Sequence, residues 1–273
     1  MATVAVIGLG LMGSSFAMAL KKSGAGHVVV GSDRDPRTVQ KALERGIVDS
    51  AGTDLDVVGI ADVVVLAVPI LAMRDELTRL AGHVDGKAVT DMASTKADVM
   101  GWASAAGVDL VGGHPMCGRE VFGIDAADAE LFKDAPWILT ADRPEITKLV
   151  EAVGARPLVM NAADHDRLVA GVSHAAFLVS VAYVLSLSSR SDWPEASRVA
   201  ASGFRDMSRL AAGDPQLYAG IATTNRTQLL EQLDQVSAAL SRLRRHLDAN
   251  DPRLVELFEE ARAVRERWAK GTR

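Results

Sequence analysis

The chemistry in this sequence centres on His114, in the stretch Val111-Gly-Gly-His114-Pro115-Met-Cys-Gly-Arg-Glu120. A proline directly after the histidine is expected to end strand pairing and leave the imidazole at the mouth of a sheet rather than in the core. The flanking glycines let another molecule come close. The competing reading is a loop histidine that satisfies local backbone groups. Ser94 lies in Asp91-Met-Ala-Ser94-Thr-Lys96, where a strand gives way to a helix. Its hydroxyl can cap that helix or bond to substrate or cofactor. Gly203-Phe-Arg205-Asp-Met-Ser-Arg209 sets two arginines four apart, on one face if helical, and a guanidinium fork grips a carboxylate by two bonds. Surface arginines paired with Asp206 or Asp214 are the alternative. His174 sits in an apolar helix, where a hydrogen-bonded core residue is the plain reading and a substrate-binding residue, beside Arg205 and Arg209, the functional one. Cys117 has no second His or Cys at ligand spacing, so neither a metal site nor a nucleophile is expected there.

The elements that must position these residues alternate. A β-branched run from Thr3 to Ile7 is followed by Gly8-Leu9-Gly10-Leu11-Met12-Gly13 and then by helical spacing. This is the strand, glycine turn and helix of a dinucleotide site: Gly8 for the tight turn, Gly10 for close approach of a pyrophosphate, and Gly13 for helix packing on the strand. A second strand, 27–32, runs through Ser32 into Asp33, whose carboxylate can accept hydrogen bonds from ribose hydroxyls and would repel a 2′-phosphate. That favours NAD over NADP, with Arg34 as the opposing feature. Further helices are expected at 36–45, 71–83, 96–106 and 144–153, and further strands at 63–68, 88–91, 109–113, 136–140 and 156–160. The order predicts a doubly wound, Rossmann-like parallel sheet with Asp33, Pro69, Ser94 and His114 at the strand ends facing one crevice, and Val68 and Pro69 among the cofactor-binding residues.

From residue 161 onward only helices are expected, which divides the chain into a dinucleotide-binding domain, 1–160, and an all-helical substrate and dimerisation domain, 161–273. Asp164 is the expected cap of a helix to about residue 189, apolar on all faces from Ala175 and therefore covered by neighbours. Asp214-Pro215 and Asp251-Pro252 read as caps followed by first helical residues. Leu229, Leu233, Val236, Leu240, Leu243 and Leu247 form a heptad-like seam.

The 273 residues carry a net charge of −5, which gives no general pull toward nucleic acid or anionic lipid. The apolar stretch 175–187 is too short to span a bilayer, so no membrane segment is expected. A single cysteine and a first strand beginning at Thr3, with no signal peptide ahead of it, point to the cytoplasm.

Several separated motifs together resemble the prephenate and arogenate dehydrogenases of tyrosine biosynthesis. They are Gly8 to Gly13, Asp91 to Lys96, His114 to Glu120, Leu131-Phe132, Asp164-His-Asp166, Ser173-His174, and Gly203 to Arg209 leading to Asp214-Pro215. The resemblance implies that hydride passes from the hydroxyl-bearing ring carbon to nicotinamide, followed by loss of carbon dioxide. It further implies that His114 accepts the hydroxyl proton, that Ser94 orients His114, that Arg209 with Arg205 as helper holds a carboxylate, and that a homodimer forms through the helical domain. The substrate is then prephenate, giving 4-hydroxyphenylpyruvate, or arogenate, giving tyrosine.

Three departures stand out: Cys117 where alanine is common, Phe177 where the family often has a second histidine, and no C-terminal regulatory domain after a last helix ending at about Lys270. A β-hydroxyacid-type dehydrogenase is the first alternative, and it is opposed by the absence of any lysine between residues 164 and 189. A non-catalytic dinucleotide sensor is the second.

Overall fold

The computed structural model describes residues 1–118 and 121–271, so Arg119 and Glu120, the end of the His114 stretch, lie outside the described residues. Two compact units are present, Met1–Arg226 and Thr227–Arg273.

In the first unit, strands β1 (Thr3–Ile7), β2 (Val28–Ser32), β3 (Ser50–Gly52), β4 (Val63–Leu66), β5 (Ala88–Asp91) and β6 (Leu110–Val111) pair in the order β3-β2-β1-β4-β5-β6, all parallel. Helices α1 (Leu11–Lys22), α2 (Pro36–Glu44), α3 (Asp56–Gly59), α4 (Ile70–Leu80) and α5 (Ala97–Ala106) alternate with them. Val4, Val64 and Val65 are fully enclosed because helices cover both faces, the condition under which parallel strands read as unbroken valine runs. The short edge strand β3 had no counterpart among the expected elements.

The expected strand 109–113 is two strands. The chain leaves the parallel sheet after Val111, turns at Gly112, and begins β7 (Gly113–Pro115), which runs antiparallel to β8 (Pro136–Leu139). With β9 (Arg156–Val159) these make a second, three-stranded sheet, closed by α6 (Pro144–Ala152). His114 therefore sits on a strand of the second sheet, opposite Ile138, and Pro115 does not end pairing, since it faces Trp137.

A long apolar rod follows. α7 (Ala162–Val169), a π-helical turn (Ala170–His174) and α8 (Ala175–Ser188) are continuous. Its cap is Asn161, whose side chain accepts from the Asp164 amide; the expected cap, Asp164, lies in the first turn instead. The rod is 27 residues long with an 18-residue window of mean hydropathy 2.0, so by length and apolarity it could cross a bilayer, against the expectation from 175–187 alone. Only 33% of that window is buried, so the chain itself does not supply the expected covering on all faces.

Then come α9 (Trp193–Arg198), α10 (Ser202–Ser208), a 3-10 turn (Arg209–Ala212) and α11 (Pro215–Thr224). α11 is capped by Asp214, which accepts from Gln216 N, with Pro215 in first position as the sequence suggests. The last helices are α12 (Arg226–Asp248) and α13 (Leu254–Gly271), the latter starting two residues after Pro252. On α12 the C-terminal half of the leucine seam is open to solvent, with Leu240 at 60% and Leu247 at 69% exposure.

Candidate active site

Two lock systems converge on His114, one on its backbone and one on its ring. The backbone lock is built from the β5–α5 connection. Asp91 Oδ1 accepts from Gly113 N at 2.9 Å and Oδ2 from Ala93 N at 2.8 Å. Lys96 Nζ pairs with Asp91 and donates to the Gly113 carbonyl at 2.7 Å. Both side chains are fully enclosed, a costly arrangement that persists only where every donor and acceptor is matched. Burial pulls the Lys96 pKa down, and the Asp91 charge opposes that pull. Gly113 must be glycine, because a Cβ there would lie 2.4 Å from the Asp91 carbonyl oxygen.

The ring lock comes from α7. His114 Nδ1 lies 2.8 Å from His165 Nε2, and His165 Nδ1 lies 2.7 Å from Asp166 Oδ1. Asp166 in turn accepts from Lys96 N at 2.7 Å and Ala97 N at 2.8 Å. That carboxylate is the cap of α5. Ser94, the candidate cap from sequence, lies before Lys96, which holds the cap position. His114 Nδ1 is likewise engaged by His165. Ser94 itself is half-buried on the same connection.

His114 is 7% exposed, so it is not at an open mouth. Burial first, then the neighbouring His165, Lys96 and His174, hold its pKa well below the ordinary 6.5. The ring is therefore neutral at physiological pH and able to accept a proton.

His174 closes the far side. Asn225 Nδ2 donates to the Asp166 carbonyl at 2.8 Å and lies 3.2 Å from His174 Nδ1. The carbonyl is an acceptor only, which orients the amide nitrogen toward both groups. His174 Nδ1 then accepts, and its proton is on Nε2. That atom is buried and has no hydrogen-bond partner among the described residues. Burial lowers the His174 pKa to about 4, so it too is neutral. Phe177, in place of the family's second histidine, stacks on Tyr218 with ring centroids 3.4 Å apart. Burial pushes the Cys117 thiol up to about 12, which removes the thiolate a nucleophile needs.

The glycine turn sorts its residues by what surrounds them. Gly8 has φ +95° and a Cβ there would meet the Ala67 carbonyl at 2.6 Å; on Gly13 it would meet the Gly8 carbonyl at 1.9 Å. Both are glycine for the fold. A Cβ on Gly10 meets nothing within 4 Å, so the space in front of it is left open to a close-approaching pyrophosphate. Asp33 Oδ2 accepts from Leu9 N at 2.8 Å and Oδ1 from Asp35 N at 2.9 Å, leaving further lone pairs on each oxygen for ribose hydroxyls. These observations fit a dinucleotide. Leu9 is fully buried and Ser32 Oγ donates to the Asp54 carbonyl at 2.5 Å, so neither offers its side chain to a ligand. Leu11, Met12 and Val68 are half-buried around the turn, while Arg34 and Pro69 are exposed.

Arg205 and Arg209 are exposed, unlike the histidines. Arg205 lies 3.5 Å from Asp206 and Arg209 begins the 3-10 turn, so the pair spans a helix junction. Ser180 of α8 steadies that junction, donating to the Met207 carbonyl at 2.7 Å and accepting from Ala211 N at 3.1 Å.

His165, Asp166 and Asn225 were not singled out from sequence as site residues. The available signal was the triplet Asp164-His165-Asp166, three titratable residues in one helical turn.

Residues 16–158 match the family model described as prephenate dehydrogenase, nucleotide-binding domain, and residues 161–260 match prephenate dehydrogenase, dimerization domain. A prephenate dehydrogenase of Lactococcus lactis subsp. cremoris is 31% identical, over 97% of this chain and 77% of the relative. The crystal structure of Synechocystis arogenate dehydrogenase is 34% identical with a TM-score of 0.84, covering 97% of this chain and 99% of that one. The A. aeolicus prephenate dehydrogenase complex with hydroxyphenyl propionate and NAD+ is 28% identical with a TM-score of 0.91, over 98% of both chains.

Proposed function

Because this chain belongs to the prephenate dehydrogenase family, whose members are NAD(P)-dependent oxidoreductases of tyrosine biosynthesis, we propose that it converts prephenate to 4-hydroxyphenylpyruvate. The observation that carries the reading is a buried, neutral histidine, His114, held from two sides on β7, next to Gly113, which bonds Asp91 at the carboxyl end of β5 in the dinucleotide-binding sheet. NAD is the cofactor, and when bound it supplies the hydride acceptor.

The protein residues do the rest. The glycine turn receives the pyrophosphate at Gly10 and the N-terminus of α1, and Asp33 takes the ribose hydroxyls. His114 accepts the proton of the ring hydroxyl as hydride leaves the same carbon. Ser94, freed from capping, bonds the hydroxyl or the cofactor. Arg209, with Arg205, holds a substrate carboxylate and so sets the distance for reaction. The buried His174 Nε2–H is a donor that a carboxylate or keto oxygen of the substrate can satisfy. The exposed rod 162–188 and the open α12 seam are read as faces covered by a second copy, giving a homodimer that works in the cytoplasm.

The test is absorbance at the reduced-nicotinamide band with prephenate and arogenate, each with NAD and NADP. Prephenate with NAD is expected to give the fastest rise; a rise with arogenate alone overturns the substrate choice. Because the His114 pKa is lowered, its base form is complete at neutral pH. kcat/KM should therefore be flat from pH 7 upward and fall only well below 6.5, and a fall centred near 7 contradicts the assignment. His114→Asn should lower kcat by about 100-fold or more with little change in KM.

A further inference from the structure

We propose that His165 and Asp166 are positioning residues that fix which nitrogen of His114 carries its proton, leaving Nε2 as the bare, substrate-facing base. This rests on reading His114 as the proton acceptor.

The argument is one of donors and acceptors. Asp166 accepts two backbone amides, Lys96 N at 2.7 Å on Oδ1 and Ala97 N at 2.8 Å on Oδ2, so both of its oxygens are placed as acceptors. The hydrogen in its 2.7 Å contact with His165 is therefore on His165 Nδ1. With that hydrogen as the ring's single proton, His165 Nε2 is an acceptor. The 2.8 Å contact to His114 then requires hydrogen on His114 Nδ1. By the same count His114 Nε2 is unprotonated. Without such a partner either nitrogen can hold the proton, and half of the possible choices present the wrong chemistry to a hydroxyl.

The device is anchored. Asp166 cannot turn away without uncapping α5, and His165 is fully enclosed. Among the described residues, the other titratable groups around His114 are His174 on the π-helical turn, and Lys96 with Asp91 from the β5–α5 connection. When the hydroxyl proton moves to His114 Nε2, the new positive charge is offset through His165 by Asp166. Hydride leaves with the carbon–hydrogen electron pair. The electrons of the ring carbon–carboxylate bond then pass through the ring to the new carbonyl oxygen, which recovers the proton from Nε2 as carbon dioxide departs. His114 ends neutral, with its Nδ1 proton never displaced.

The first test needs no turnover. In cofactor-free protein labelled with 15N-histidine, protonated and bare ring nitrogens resonate far apart, and His114 and His165 are assigned from the His114→Asn and His165→Leu spectra. Both rings are expected to carry hydrogen on Nδ1 at pH 7.5. A His114 proton on Nε2 in the unaltered protein overturns the proposal.

The second test is kinetic. His165→Leu should lower kcat by about tenfold or more with KM within about twofold, and His165→Gln, which restores an acceptor, should recover part of the loss. Unchanged kcat in His165→Leu overturns the proposal as well. If His114→Asn keeps near-normal turnover, the base assignment is what has failed, and the nitrogen spectrum still decides the proton pattern.

Discussion

At the scale of single residues, the site divides into groups identifiable by type and groups identifiable only by contact. His114 stands out in the sequence because glycines and a proline surround it, and Arg209 because a second arginine lies four residues earlier. Arg209→Ala should raise KM for substrate by about 10- to 100-fold, the worth of a charge-assisted carboxylate bond, while leaving NAD affinity unchanged by calorimetry. Equal loss of both would remove the arginine from substrate binding. His165 was legible only as the middle of the Asp164-His-Asp166 motif, with nothing in the sequence to say what it bonds. Its bond to His114 joins positions 51 residues apart, and no periodicity encodes such a pairing. The same holds for Ser94: a serine before a helix reads as its cap, yet the carboxylate of Asp166, 70 residues from Lys96, occupies that place.

At the scale of elements, the strand–turn–helix of residues 3–22 was fully legible, since its glycines answer to local sterics and a known ligand geometry. The glycines nonetheless differ in what they serve. Gly10→Ala should leave the thermal midpoint nearly unchanged, because its Cβ meets no protein atom, but should weaken NAD binding about tenfold or more. Gly13→Ala should destabilise the protein by about 1–3 kcal/mol, because its Cβ overlaps the Gly8 carbonyl. Titration calorimetry and urea unfolding separate the two, and matching behaviour would contradict the division. The sheet switch at Gly112 was not legible. Residues 109–113 look like one apolar strand, and distant partners pull the chain into the second sheet: Thr140 bonds Gly112, Leu139 faces Gly113, and Asp91 and Lys96 bond the Gly113 backbone.

At the scale of the whole molecule, the order of elements predicted the parallel sheet and the helical remainder, but apolarity alone left the surroundings of the long rod undetermined. A helix that could cross a bilayer and a helix that waits for a second copy have the same composition. Its inward polar groups His165, Asp166 and Ser180 are matched to partners in its own unit and argue for the second. The dimer reading predicts that Leu240→Glu with Leu247→Glu shifts the mass by light scattering from two copies toward one. A wild-type monomer, or a variant that stays paired, would contradict it.

Asp166 finally joins two requirements that are usually held by different residues. The carboxylate that begins a helix also arranges the protons of the base, so a substitution there is screened twice, once for folding and once for turnover. A variant at this position is expected to lose thermal stability and turnover together, because the same carboxylate serves both contacts. Improvement of either property has to begin elsewhere in the chain.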